Sequence, residues 1–92
     1  MQVTVDYSAQ IKRAAGLSSE RFELGPSGSL DDLAAAIAER HGDAIRDLLL
    51  DGAGAVRKSI LMFVGDDQVV AGSSRLLADG DTVTIMTPIS GG

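Results

Sequence analysis

The sequence predicts an α+β domain in which a mixed sheet of four to five strands wraps one main helix. Three observations predict it. Apolar and polar residues alternate near both ends of the chain, in "QVTVDYS" and in "DTVTIM", which is the period of a strand with one buried face. Between them, apolar residues recur at spacings of three and four across 30–41, the stripe of an amphipathic helix. No repeat, linker or low-complexity segment divides the 92 residues, so strands flanking one helix must share one core.

The elements follow in order. Val3, Val5 and Tyr7 alternate with Gln2, Thr4 and Asp6 in a first strand. "QIKRAAGLSS" reads as a short helical turn or loop closed by Gly16, and "SERFELG" alternates again with Phe22 and Leu24 inward, so the two strands form a hairpin. The breaker cluster "GPSGS" precedes the main helix. Ser29 is its N-cap and Asp32 the capping-box acid, while Asp31 and Asp32 complement the helix dipole. Leu30, Leu33, Ala34, Ile37 and Ala38 form the apolar face, and Gly42 is placed to end the helix after His41.

"DAIRDLLLDGAG" is a weaker second helix carrying Ile45, Leu48 and Leu49, which breaks at the glycines 52 and 54. "VRKSILMFVGDDQVV" gives an apolar strand over about 60–64, a Gly-Asp-Asp turn and a short strand at 68–70. Leu76 and Leu77 lead into a turn at Asp79-Gly80-Asp81. Val83 and Ile85 then alternate with Thr82, Thr84 and Met86 in the last strand. The domain is expected to span 1–87 and to be followed by a flexible tail, 88–92.

Composition narrows the chemistry. The chain is 45% hydrophobic with Phe22, Phe63 and Tyr7 as its aromatics, so the core must be aliphatic. It has no cysteine, which excludes disulfides, thiolate metal sites and a cysteine nucleophile, and fits a reducing cytoplasm. "MQVTVDYSAQ" starts directly with strand alternation and lacks the pattern of a secretion signal. No apolar run approaches the roughly 20 residues that cross a bilayer. The net charge of -5 argues against nucleic acid, which needs clustered cations, and favours partners with basic surfaces.

No side-chain constellation reads as an active site. His41, the one histidine, falls at a helix C-terminus, where a capping or surface role suits a cation. Without cysteine it cannot assemble a transition-metal site of the usual ligands. The pairs Asp31-Asp32, Asp66-Asp67 and Asp79-Asp81 sit at a helix start or in turns, where aspartate hydrogen-bonds the local backbone. "GPSGS" and "DGAGAVRKS" lack the phosphate-loop spacing.

The tail carries the weight instead. Pro88 fixes its own φ and drives Thr87 towards extended geometry, so 89–92 should leave the sheet as a straightened arm with a reach of about 13 Å. Gly91 and Gly92 lack Cβ atoms and can pass a channel too narrow for other residues, delivering a carboxylate into a partner's active site.

These residues carry a family resemblance. The element order, the early "YSAQIKRAAG" and the ending "LLADGDTVTIMTPISGG" resemble the MoaD/ThiS family of ubiquitin-like β-grasp sulfur carriers over essentially the whole chain. The Ala9-Gln10 region is nearest to members that act as the small subunit of molybdopterin synthase. The resemblance implies that Gly92 is adenylylated by an activating enzyme using MgATP and converted to a thiocarboxylate, with Gly91 as the clearance residue. It implies no bound cofactor, no metal and no catalytic side chain in this chain. The expected partners are the activating enzyme and a sulfur-accepting enzyme such as the molybdopterin synthase large subunit, with no nucleic acid and no membrane.

The family docks through an apolar sheet surface near the tail. Phe63, Met86, Ile89 and Tyr7 are the candidates, with a core position facing the helix as the alternative for Phe63. Asp66, Asp67, Asp79 and Asp81 are available to steer a basic partner. The connection "DGAGAVRKS" resembles that of carriers serving cysteine synthesis or protein modification. Cysteine, thiamine or tRNA thiolation and ubiquitin-like conjugation are therefore the alternatives to molybdopterin synthesis, and a β-grasp interaction module without chemistry is the alternative of a different class.

Overall fold

The computed structural model describes residues 1–70 and 75–87. The elements in chain order are β1 (Gln2–Ser8), α1 (Ala9–Ala15), β2 (Ser19–Glu23), α2 (Leu30–His41), α3 (Asp43–Leu49), β3 (Leu61–Val64), β4 (Asp67–Val69) and β5 (Thr82–Thr87). Five strands form one mixed sheet in the order β2-β1-β5-β3-β4. β1 and β5 run parallel at its centre and the other pairs are antiparallel. This is the expected α+β, β-grasp arrangement.

One sheet face is dry. Val3, Val5 and Tyr7 from β1, Val83 and Ile85 from β5, and Met62 and Val64 from β3 point at α2 and are all buried. α2 answers with Leu30, Leu33, Ala34, Ile37 and Ala38, the predicted stripe. Its start is fixed by a complete capping box. Ser29 Oγ accepts from the Asp32 amide at 3.2 Å, and Asp32 Oδ2 accepts from the Ser29 amide at 3.0 Å. α3 then buries Ile45 and Leu49 beside α2.

Three expectations shift. The connector between β1 and β2 is a true helix, α1, whose Ile11 is fully buried, so the pair is not a tight hairpin. The third strand begins at Leu61, one residue after the buried Ile60. The fourth is Asp67–Val69, which leaves Val70 outside it and 71% exposed. The short Gly-Asp turn allows β4 to pair from Asp67 with Val64, so register is set by the turn rather than by apolar content.

The Asp79-Gly80-Asp81 turn ties the starts of the two central strands together. Asp79 Oδ1 accepts from the Gln2 amide at 2.8 Å, Gly80 N–H donates to the Gln2 carbonyl at 2.8 Å, and the Asp81 carbonyl accepts from the Thr4 amide at 2.9 Å. Asp81 Oδ2 also closes its own turn by accepting from the Ala78 amide. Gly80 has φ +86, the left-handed region where glycine is strongly favoured. These contacts place β5 beside β1 in parallel register.

Candidate functional site

The two ends of β5 differ. Its start meets the acidic turns, and its end, Thr87, stands beside the beginning of α1. Thr87 is 4% exposed and points inward, and its Oγ1 accepts from the Ile11 amide at 3.0 Å. That bond fills one of the donors left unpaired at a helix start. The backbone also bridges Thr87 to Ala9, which holds φ +60, the one non-glycine residue with positive φ among those described. The last described residue of the sheet is thereby pinned to α1.

The sheet face opposite α2 is open. Strand parity puts Thr82, Thr84 and Met86 of β5, Thr4, Asp6 and Ser8 of β1, and Leu61 and Phe63 of β3 on it, all half-buried. Register sorts these by height. Met86 lies between Ser8 and Leu61, and Thr84 between Asp6 and Phe63. Directly paired residues on one face hold their Cβ atoms about 5 Å apart, and diagonal neighbours remain within reach of a long side chain. Leu61, Phe63 and Met86 therefore form one apolar patch at the end of the sheet where β5 finishes, while threonines occupy the other end.

The candidate docking residues fare differently. Phe63 lies on the open face with Met86, so its core alternative is excluded: Met62 and Val64 take the inward positions of β3. Tyr7 is corrected. It is 3% exposed on the inner face in phase with Val3 and Val5, and cannot line the open one. Ile89, Gly91 and Gly92 lie outside the described residues. Leu61 belongs to the patch and was missed, because "ILMFV" is apolar at every position and shows no phase. Its pairing with Met86 supplies the phase.

Tyr7 has another role. Its hydroxyl donates to Glu20 Oε2, His41 Nε2 pairs with the same oxygen, and Arg40 Nη1 donates to Glu20 Oε1 at 3.1 Å. Arg40 also donates to the Arg21 carbonyl at 2.9 Å and lies over the Phe22 ring, 3.8 Å from its centroid. Burial raises the Tyr7 phenol far above its ordinary value, helped by its bond to Glu20. Burial also pushes the Glu20 carboxyl up, but the donors Tyr7, His41 and Arg40 outweigh it and hold the group below the usual carboxylate range. His41 is thus neither a simple cap nor a surface group. The cluster clamps the end of α2 to β2 with every member partnered, an arrangement suited to holding structure.

Among the described residues, no group of three or more His, Asp or Glu is placed to hold a metal ion. No helix among them is long and apolar enough to cross a membrane. The acids Asp66, Asp67, Asp79 and Asp81, considered for steering, stand at the end of the sheet away from Thr87.

Comparison with known proteins agrees with this geometry. The chain is 34% identical to the molybdopterin synthase sulfur carrier subunit of Chlamydomonas reinhardtii over all of both chains. The solution structure of Urm1 from Trypanosoma brucei superposes with a TM-score of 0.78 at 28% identity, covering 99% of this chain and 95% of that one. The crystal structure of SAMP1 from Haloferax volcanii matches with a TM-score of 0.88 over 100% of both chains, at 20% identity, a likeness of fold. Residues 5–92 match the model of the ThiS family, and on that near-complete match the chain belongs to the ThiS family.

Proposed function

We propose that this protein is a sulfur carrier whose Gly92 carboxylate is adenylylated by a partner enzyme using MgATP and then converted to a thiocarboxylate, with molybdopterin synthesis as the destination of the sulfur. The observation that carries this reading is the 34% identity, over the full length of both chains, to a molybdopterin synthase sulfur carrier subunit. The half-buried apolar patch of Leu61, Phe63 and Met86 on the face away from α2, at the end of β5, supports it, since a contiguous apolar area outside the core of a small domain marks a partner site. Ile89, next along the chain, is assigned to the same contact, and Gly91 and Gly92 to passage through a narrow channel.

The chemistry asks little of this chain's side chains. A carboxylate oxygen attacks the α-phosphorus of ATP and pyrophosphate leaves, giving the acyl carbon a leaving group it lacked. A persulfide sulfur on a donor protein then adds to that carbon and AMP departs. A thiolate then attacks the donor-side sulfur of the resulting acyl disulfide, forming a new disulfide with the donor and releasing the thiocarboxylate on Gly92. The domain acts as co-substrate: it presents the tail while the partners supply the catalytic groups. Those partners are the activating enzyme and, as acceptor, the large subunit of molybdopterin synthase.

The test is intact and fragment mass spectrometry of the protein from its native host. The expected product is a C-terminal fragment about 16 Da heavier than the unmodified one, localised away from Met1, Met62 and Met86, whose oxidation adds nearly the same mass. A C-terminal fragment that stays unmodified when the activating enzyme and ATP are supplied would overturn the proposal. Return of the fragment to its original mass on adding the molybdopterin synthase large subunit with its pterin substrate tests the destination.

A further inference from the structure

We infer that the end of the domain from which the tail leaves docks against an acidic rim on the tail-activating enzyme, with Lys12, Arg13 and Lys58 as the contacting cations. This rests on the proposed function for the identity of the partner. It runs against the net charge of -5, which taken alone favours a basic one.

The fold puts the surplus of acids at the far end, while the tail end sets Glu39, Asp43, Asp47 and Asp51, at the end of α2 and around α3, against Arg46, Arg57 and the three cations named above. β1 and β5 run parallel, so Ser8 and Thr87 finish at the same end, and α1 starts there with Lys12 and Arg13 in its last turn. Leu61 pairs with Met86 near the end of β5, so Lys58, three residues earlier, enters from that end too. At the opposite end lie Asp66 and Asp67 in the β3–β4 turn, Asp79 and Asp81 before β5, and Asp31 and Asp32 in the first turn of α2. α2 begins at that end because Ser29 bridges to Leu76 and the Gly28 carbonyl accepts from Leu77.

Distance makes the separation matter. A strand rises about 3.3 Å per residue, so the six residues of β5 hold the two ends about 17 Å apart. That is about two Debye lengths at physiological ionic strength, so a partner at the tail end feels the local cations more than the remote aspartates.

The cations at this end are available. Arg40 is bound to Glu20 and Arg75 to Asp67, whereas Lys12, Arg13 and Lys58 are exposed and have no ion-pair partner among the described residues. Asp51, seven residues before Lys58, is turned to the amides of Ala53 and Ala55 rather than to Lys58. Lys12 and Arg13 also line a shallow cleft with Ala9, Gly16, Leu17 and Ser18. Because Ala9 bridges to Thr87, that cleft borders the root of the tail. A carboxylate side chain on the rim of the partner's channel fits it in charge and position.

The test measures binding of the full chain to the purified activating enzyme of the same host, at low and at physiological salt. K12E/R13E/K58E is expected to raise Kd about tenfold at low salt and to flatten the salt dependence, because charges at an interface rim act through steering and screening. D31K/D66K, at the far end, is expected to leave Kd within about twofold. Reversing Lys12 and Arg13 also opposes the α1 dipole, so K12Q/R13Q/K58Q, checked for unchanged circular dichroism, provides a milder variant with a smaller rise of the same sign. Unchanged or tighter binding by both triple variants, or no binding by the wild-type chain, would sink the inference. Salt-sensitive binding without any change in the mass of the C-terminal fragment would leave the docking intact and overturn the proposed function instead.

Discussion

Thr87 Oγ1 accepts a hydrogen bond from the Ile11 amide at 3.0 Å across 76 residues of sequence. The bond joins the last described residue of β5 to the first turn of α1. Thr87→Val keeps shape and burial but leaves a buried N–H without its acceptor, at a cost of about 1–3 kcal/mol. Thr87→Ser restores the oxygen and should recover most of that loss. Urea unfolding of the wild type and both variants, with amide exchange at Ile11, checks it: a valine variant as stable as the wild type, with unchanged protection of the Ile11 amide, would show that the bond contributes nothing.

The Glu20 cluster predicts the acid limb of stability. Its carboxyl titrates below its unfolded value of about 4.3, so the stabilisation is present above that pH and is lost as pH falls through the folded value. Glu20→Gln should lower stability at neutral pH and flatten the decline below about pH 5. Tyr7 has the opposite sign. Its phenol is raised, so its contribution is full below its ordinary value near 10 and declines as pH rises beyond it. Chemical denaturation across pH measures both limbs, and an acid slope unchanged in the glutamine variant would remove Glu20 from the account.

What the sequence made legible follows from local physics. The α2 cap and stripe, the alternation of β1, β2 and β5 and the aspartate turn all depend on residues a few positions apart, and each is present as read. Tyr7 was readable and misassigned, since it shares the phase of Val3 and Val5. Glu20 likewise shares the phase of the buried Phe22, yet its partners Tyr7, Arg40 and His41 are 13 to 21 residues away and meet it only through the fold. The open face of β3 was hidden for another reason: five consecutive apolar residues carry no period, and only pairing with β5 assigns them.

Adjacent residues of β3 should therefore answer differently. Met62→Ala empties a core position and should cost about 2–5 kcal/mol. Phe63→Ser removes a half-buried side chain from the opposite face and should cost clearly less than Met62→Ala, while weakening binding to the activating enzyme of the proposed function about tenfold. Thermal unfolding and a binding titration on both variants separate the roles. A Phe63 variant that unfolds as readily as the Met62 variant would return Phe63 to the core.

Gly80 isolates the backbone contribution to strand order. A Cβ added there would meet nothing within 4 Å, so any effect of Gly80→Ala comes from its φ of +86 rather than from a clash. Holding a non-glycine residue in that region costs about 1–2 kcal/mol, and asparagine, which tolerates it better, should lose less. Relaxing the strain by reversing φ would instead move the Gly80 amide off the Gln2 carbonyl and disturb the Asp79 bond to the Gln2 amide, the contacts that seat β5 beside β1. The ranking glycine, asparagine, alanine in unfolding free energy is thus expected with the fold preserved. Loss of the β1–β5 cross-strand contacts in the alanine variant, seen by NMR, would mean that the turn sets the parallel register as well as stabilising it.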